Sequence, residues 1–152
     1  MKLAVVTDST AYLPDRIKNH EDLYVIPIPV ILDGKIYNEG IDIEADQYYE
    51  LLNSSSEFPT TSQPALGEVI ELYESLAVKG YDTVVSIHLS AGISGFVSTL
   101  FSIKDSVKGL DIHPYDSEIT SMPMGNMVEA ALRMAGEGES MEAILAKLDF
   151  IR

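Results

Sequence analysis

A run of small polar residues directly after a strand pattern is the first candidate for chemistry in this sequence. The apolar, β-branched run 84–89 is typical of a strand buried on both faces, and residues 90–95 after it are small apart from Ile93. Helical spacing begins at Ile93, so a helix start with unpaired N–H groups lies here and favours an anionic head group. Ser94 has two open roles: it caps its own helix, or its hydroxyl binds the ligand.

Three further polar clusters occupy comparable places along the chain. They are residues 7–10 (Thr-Asp-Ser-Thr), residues 60–63 (Thr-Thr-Ser-Gln) and the pair Asp116 and Ser117. The carboxyl ends of parallel strands lie at one edge of a sheet, and ligands bind at that edge. Together the four clusters predict one crevice whose hydroxyl and amide groups hold a carboxylate or a phosphate.

The same clusters leave a catalytic alternative open. A small hydrolase would use Ser94 as nucleophile, with a triad completed by His88 and Asp116. However, residues 92–95 lack the Gly-x-Ser-x-Gly spacing of a nucleophile elbow, and a histidine within an apolar strand is expected in the core. A phosphatase would use Asp8, although an aspartate after a strand more commonly accepts hydrogen bonds from its own turn.

No cofactor and no metal site is predicted. Neither Gly-x-Gly-x-x-Gly nor Gly-x-x-x-x-Gly-Lys occurs in the sequence. Four acidic residues near one predicted helix are interpreted as its solvated start rather than as metal ligands: Glu39, Asp42, Glu44 and Asp46.

Strand and helix patterns alternate along the chain and predict a three-layer α/β/α fold with a central, mainly parallel sheet. Residues 23–32 are an edge strand or an extended crossing segment, because Pro27 and Pro29 cannot donate to a ladder. Other strands are predicted at residues 2–6, 35–38, 84–89 and 110–115. Helices are predicted at residues 12–17 with Pro14 in the first turn, after the N-cap Asp42, after Pro64, from Ile93, from Pro123 and after the N-cap Ser140.

Composition limits the class of protein and its partners. The 152 residues, 46% apolar and 22% charged, fit a single soluble domain, and the lack of cysteine excludes disulfides and thiol catalysis. A net charge of −14 with only 10 Lys plus Arg argues against nucleic acid, because phosphates must be neutralised by clustered cations. The N-terminal residues match no secretory signal or membrane anchor, so a cytoplasmic protein is expected.

Four motifs, taken in their order and spacing, resemble the DegV family of bacterial fatty-acid-binding proteins. They are Val5-Val-Thr-Asp-Ser-Thr10, Pro59-Thr-Thr-Ser-Gln-Pro64, Leu89-Ser-Ala-Gly-Ile-Ser-Gly95 and Asp116-Ser117. The resemblance implies an N-terminal α/β domain and a second α/β domain with a long-chain fatty acid held between them. It also implies a partner, since some members are the acyl-carrying subunit of a fatty acid kinase and present the carboxylate to a separate ATP-binding subunit.

Carried over by position, the resemblance implies head-group ligands at Thr61 and Ser94 and a supporting framework at Asp8 and Ser9. The implied ligand-binding positions are Thr61, Ser94, Ser62, Gly95, Asp8 and Ser9. Phe96 departs from the family, which usually has a hydroxyl residue there. Residues 1–152 correspond only to the N-terminal domain, so the second, lipid-covering domain is expected to be absent, whether the chain is a fragment or a one-domain relative. An apolar face left uncovered would then favour a homodimer.

Overall fold

The computed structural model describes residues 2–43 and 45–152 and confirms the predicted α/β fold. Its elements follow in the order β1 (Leu3–Asp8), β2 (Leu23–Ile26), β3 (Pro29–Leu32), β4 (Lys35–Asn38), α1 (Ala45–Ser54), β5 (Thr60–Thr61), α2 (Leu66–Val78), β6 (Thr83–His88), α3 (Phe96–Ile103), β7 (Asp111–Asp116), α4 (Ser121–Gly136) and α5 (Met141–Ile151).

The central sheet is parallel and has the strand order β2-β1-β6-β7. Every residue of β1 and β6 is buried, because helices cover both faces of the sheet, and this accounts for the unbroken apolar runs of the two strands. Successive side chains of β1 enter opposite cores: Val5 packs in the core that contains α4 and α5, and Val6 in the core that contains α2 and α3. The three predicted layers are therefore present.

A second, antiparallel sheet contains β3, β4 and β5 in the order β4-β3-β5. The segment predicted as an edge strand or crossing segment is divided between the two sheets, since β2 pairs with β1 and β3 begins three residues later. Pro27 lies between them, where no ladder hydrogen bond is needed. The predicted tight turn between β3 and β4 is confirmed, with Asp33 and Gly34 both at positive φ.

The short helix predicted at residues 12–17 is wrong. This segment has an isolated bridge at Ala11, which pairs with Ser121, and only turns from residue 15 to residue 19. The side chains of Leu13 and Ile17 are buried in the core that contains α4 and α5. Pairing and burial against a distant part of the chain override the local helix signal of Pro14.

The helix caps were predicted with mixed success. Asp42 is not in the cap position that was predicted, because α1 begins only at Ala45, three residues further on. Its Oδ2 instead accepts a hydrogen bond from the Asn38 N–H at 2.8 Å. Glu44 lies outside the described residues. Ser140 caps α5 as predicted, since its Oγ accepts from the Ala143 N–H at 3.2 Å.

Among the helices in the described part of the chain, none combines the length and apolar character needed to cross a membrane.

Candidate ligand-binding site

Asp8 ends β1 and holds two loops together. Its Oδ1 accepts from both the N–H and the hydroxyl of Thr10, at 3.0 and 2.6 Å, and its Oδ2 accepts from the Leu89 N–H at 3.1 Å. The carboxylate is completely buried. Asp8 therefore joins the loop after β1 to the loop after β6, and it has no exposed atom with which to attack a substrate.

His88 connects Asp8 to a chain of buried hydrogen bonds. Its Nδ1 lies 2.9 Å from Asp8 Oδ2, and its Nε2 lies 2.7 Å from the Oγ of Ser86. An ionised carboxylate only accepts, so Nδ1 carries the proton. Ser86 in turn lies 2.8 Å from the hydroxyl of Tyr73, whose pKa burial raises to about 12. The prediction of a core histidine is confirmed, and with both ring nitrogens engaged no triad forms with Ser94.

The ionisation of Asp8 supports a prediction for acid conditions. Burial alone would raise the pKa of Asp8, but the hydrogen bond and electrostatic interaction with His88, with the hydrogen bonds from Thr10 and Leu89, outweigh burial and lower the pKa below 3.8. Asp8 therefore stabilises the fold fully above the pKa of the unfolded chain, and this stabilisation is lost as the pH falls through the folded-state pKa. We expect an NMR titration of the Asp8 carboxyl carbon to have its midpoint below 3.8; a midpoint above that value would contradict the hydrogen-bonded arrangement.

Ser9 connects the first loop to the antiparallel sheet. Its Oγ donates to Glu39 Oε2 at 2.7 Å and accepts from the Ile28 N–H at 2.9 Å, while its own N–H donates to the Ile26 carbonyl at 3.0 Å. The hydroxyl proton of Ser9 is thus used within the protein. The geometry gives Ser9 a framework role, like that of Asp8.

The loop from residue 90 to residue 95 turns around Ser90. The carbonyl of Ser90 accepts from the N–H groups of Ile93 and Ser94, at 2.9 and 3.1 Å. The Oγ of Ser94 accepts from the Phe96 N–H at 3.2 Å, so Ser94 serves the start of α3 although the cap position itself is Gly95. Accepting this bond leaves the hydroxyl proton of Ser94 available to a ligand. Ser94 can therefore fill both roles that its sequence position left open.

Gln63 brings the loop around β5 to the start of α3. A Cβ added to Gly95 would lie 2.9 Å from the Gln63 Nε2, closer than real Cβ atoms approach, so a glycine permits this contact. The hydroxyl of Thr99 donates to Gln63 Oε1 at 3.3 Å. The loop is fixed on its other side by the Ser62 N–H, which donates to the Pro29 carbonyl at 3.1 Å. The two segments with expected head-group ligands are therefore neighbours.

An open cavity of about 600 Å³ lies beside these loops. Its wall is mainly apolar or aromatic and carries a few polar groups: Ser9, Thr10, Tyr12, Ile28, Val30, Glu39, Gly40, Ile43, Tyr48, Tyr49, Pro59 and Thr61. Of the expected ligand positions, Thr61 and Ser9 line this cavity. Ser62, Ser94 and Gly95 lie outside its wall, and Asp8 is buried behind it.

Sequence reasoning missed part of the cavity wall. Glu39 is exposed, as the interpretation as a solvated residue requires, but it does not belong to a helix start, because α1 begins at Ala45. It lies on the cavity wall instead and accepts from Ser9. Tyr48 and Tyr49 of α1 also line the cavity, and Tyr49 is 62% exposed.

Comparison with known proteins decides the family. The family model described as "Uncharacterised protein, DegV family" matches residues 2–152. The chain belongs to the DegV family. The resemblance to this family that the four motifs indicated is thus confirmed, and the match extends over residues 2–152.

Individual DegV relatives agree with this assignment. A DegV domain-containing protein of Listeria monocytogenes, lmo2514, is 46% identical over 151 residues, which are 99% of this chain and 53% of the relative. The crystal structure of SAG1342, described as a fatty acid binding DegV family protein of Streptococcus agalactiae, superposes with a TM-score of 0.92 at 45% identity, covering 98% of this chain and 53% of that one. Bacillus subtilis DegV, described as a fatty acid binding protein, has a TM-score of 0.91 at 40% identity with the same coverage. The chain spans about half the length of the relatives it matches.

Proposed function

We propose that this chain binds a long-chain fatty acid and catalyses no reaction itself. The observation that carries the proposal is the mainly apolar cavity with the Thr61 hydroxyl on its wall. Its volume lies in the range of pockets that enclose small ligands, and such pockets combine an apolar lining with a few orienting polar groups. The DegV structures described as fatty-acid-binding proteins, at 45% and 40% identity, support the same ligand class.

The carboxylate is proposed to lie between Thr61 and Ser94, within reach of the polar groups of Ser62 and Gly95. The described residues of the cavity wall include no lysine or arginine, so neutral donors hold the charge. Asp8 and Ser9 take part by fixing the loops rather than by touching the ligand. Glu39 repels a carboxylate and so favours the acyl chain, not the head group, at its end of the cavity.

A head group held without a salt bridge suits transfer to another protein. A lysine or arginine would neutralise the carboxylate and weaken it as a nucleophile, whereas neutral donors leave the carboxylate oxygens charged. We therefore propose that the chain presents the carboxylate to the ATP-binding subunit of a fatty acid kinase. A cytoplasmic location, where ATP is available, belongs to the same proposal.

A covering polypeptide completes this proposal. Backbone hydrogen bonds connect the loops after β1, β6 and β7 and the start of α4. Four large apolar side chains are exposed on these segments: Tyr12, Ile93, Ile119 and Met122. We propose that a second, lipid-covering domain or a second copy of the chain packs on this surface, because lipid bound in an open cavity would remain partly in water.

The first test measures bound lipid and one hydroxyl. We expect protein purified from a bacterial host to release a fatty acid on denaturation, detected by mass spectrometry. A hydrogen bond to a charged group contributes about 1.5–3 kcal/mol, so Thr61→Val is expected to weaken palmitate binding by about 10- to 100-fold in calorimetry. Thr60→Val is the matched control, since Thr60 is the neighbouring residue of β5 and does not line the cavity.

Two results would count against the proposal. Protein that is purified without lipid and stays free of it after incubation with palmitate would show that this chain alone does not bind a fatty acid. Hydrolysis of a p-nitrophenyl ester or phosphate that is abolished by Ser94→Ala or Asp8→Asn would instead favour the hydrolase or phosphatase.

A further inference from the structure

We propose that His88 is a positioning residue for the fatty-acid head group, acting through Asp8 on one side and Phe96 on the other. The inference rests on the proposed function and deepens it. His88 is completely buried and does not line the cavity, so it acts through its neighbours. It nevertheless contacts Asp8, which anchors the framework loop after β1, and Phe96, which follows the head-group loop that contains Ser94.

The first contact acts through Asp8. The Nδ1–H of His88 donates to Asp8 Oδ2, the oxygen that also accepts from the Leu89 N–H. The other oxygen of Asp8 receives both donors of Thr10, which lines the cavity. His88 therefore fixes the rotation of a carboxylate whose two oxygens each hold a different loop. Without the imidazole N–H, that rotation is held only by the loops themselves.

The second contact acts through Phe96, the first residue of α3. The rings of His88 and Phe96 pack edge to face, with centroids 4.8 Å apart and planes at 77°. Only 1% of the Phe96 surface is exposed, and its N–H donates to the Ser94 Oγ. The imidazole thus supports the helix start from which Ser94 faces the head group. Phe96 stands where the family usually has a hydroxyl residue. Because Phe96 is buried against His88, it supports the start of α3 from the core and does not face the ligand.

The two ring nitrogens of His88 allow this role to be separated from simple core packing. Nδ1 serves Asp8 and the loops, whereas Nε2 serves Ser86 and Tyr73 inside the core. The amide nitrogen of an asparagine occupies the place of Nδ1, whereas the terminal amide of a glutamine reaches the place of Nε2, where its oxygen or its nitrogen can pair with the Ser86 hydroxyl. His88→Asn keeps the contact with Asp8, and His88→Gln keeps only the contact with Ser86.

The experiment compares these two variants in the full chain. Hydrogen exchange of the Thr10 and Leu89 amides is measured in lipid-free protein, and palmitate affinity is measured well below the thermal midpoint of every variant. We expect His88→Gln to speed exchange at both amides and to weaken palmitate binding by at least about tenfold, since it removes a hydrogen bond to a charged group. His88→Asn is expected to keep exchange at both amides within about threefold of wild type, because its amide replaces that donor. Its palmitate affinity is expected to lie between that of His88→Gln and that of wild type, because both variants lose the ring that packs against Phe96.

Several outcomes would overturn the proposal. Equal affinity of the two variants, whether both weakened or both unchanged, would show that His88 only fills the core. If His88→Gln fails to fold, Ser86→Ala decides, because it removes the partner of Nε2 and leaves Asp8 in place; a tenfold loss of affinity there would contradict the proposal. Wild-type protein that binds no palmitate would refute the proposed function. Hydrogen exchange needs no ligand, so the exchange rates of the Thr10 and Leu89 amides would still test whether His88 holds the loops.

Discussion

Replacing Gly125 by alanine is expected to destabilise the protein by about 3 kcal/mol, the upper part of the range for overpacked sites. Gly125 is buried in α4, and a Cβ there would overlap the carbonyl oxygen of Tyr12 and lie 2.9 Å from its carbonyl carbon. Backbone atoms cannot rotate away as a side chain can, so the helix or the segment around Tyr12 must move. Because Tyr12 lines the cavity, fatty-acid affinity is expected to fall as well.

Urea unfolding and palmitate titration of Gly125→Ala measure the two effects. Gly136→Ala is the matched control, since Gly136 ends the same helix and a Cβ there meets nothing within 4 Å. In a helix, alanine is more favourable than glycine by up to about 1 kcal/mol, so Gly136→Ala is expected to be neutral or slightly stabilising. If Gly125→Ala were as stable as Gly136→Ala, the close contact between α4 and Tyr12 would not exist in solution.

Asp8→Asn is expected to cost about 3 kcal/mol, the upper part of the range for leaving a buried donor without an acceptor. The substitution preserves shape, but an asparagine has one acceptor oxygen and one donor nitrogen. Donors face both oxygens of Asp8: two from Thr10 on one side, and those of Leu89 and His88 on the other. Whichever way the amide turns, its nitrogen faces N–H or O–H donors, and it cannot accept a hydrogen bond from them.

Asp116→Asn provides a sharp control for this prediction. Asp116 also accepts two backbone bonds, from the N–H groups of Ala91 and Glu118, but both go to Oδ1. An asparagine can supply that single oxygen, so we expect a loss below about 1 kcal/mol, the contribution of an ordinary hydrogen bond. Similar losses of unfolding free energy in the two variants would mean that the second oxygen of Asp8 has no structural role.

The fold was predictable to the extent that its signals are local. The apolar runs of β1 and β6, the Asp33-Gly34 turn and the Ser140 cap each depend on residues that are close in sequence. Residues 12–17 were predicted wrongly because their partner is remote in sequence: the Tyr12 N–H donates to the Ser121 carbonyl at 3.1 Å. No local pattern around Pro14 contains that information.

The same distinction applies to the site. The four polar clusters were recognisable because strand ends and helix starts carry small polar residues. The contact between Glu39 and Ser9 spans 30 positions, and the one between Gln63 and Thr99 spans 36. A single sequence does not indicate which distant side chains meet, so the position of Glu39 on the cavity wall and the role of Gln63 required the three-dimensional structure.

The strand order of the central sheet also governs how a new chain can fold. β1 takes β6 as one of its two neighbours, and the Asp8–His88 contact at the end of that ladder joins residues 80 positions apart. The β3–β4 hairpin closes locally within about 1–10 μs, but at about 5–20 residues per second a ribosome completes β6 roughly 4–16 s after β1. During those seconds β1 is an apolar strand with one unpaired edge, the kind of segment that associates with other chains. Chaperones that shield nascent chains are therefore expected to act on β1 until β6 emerges.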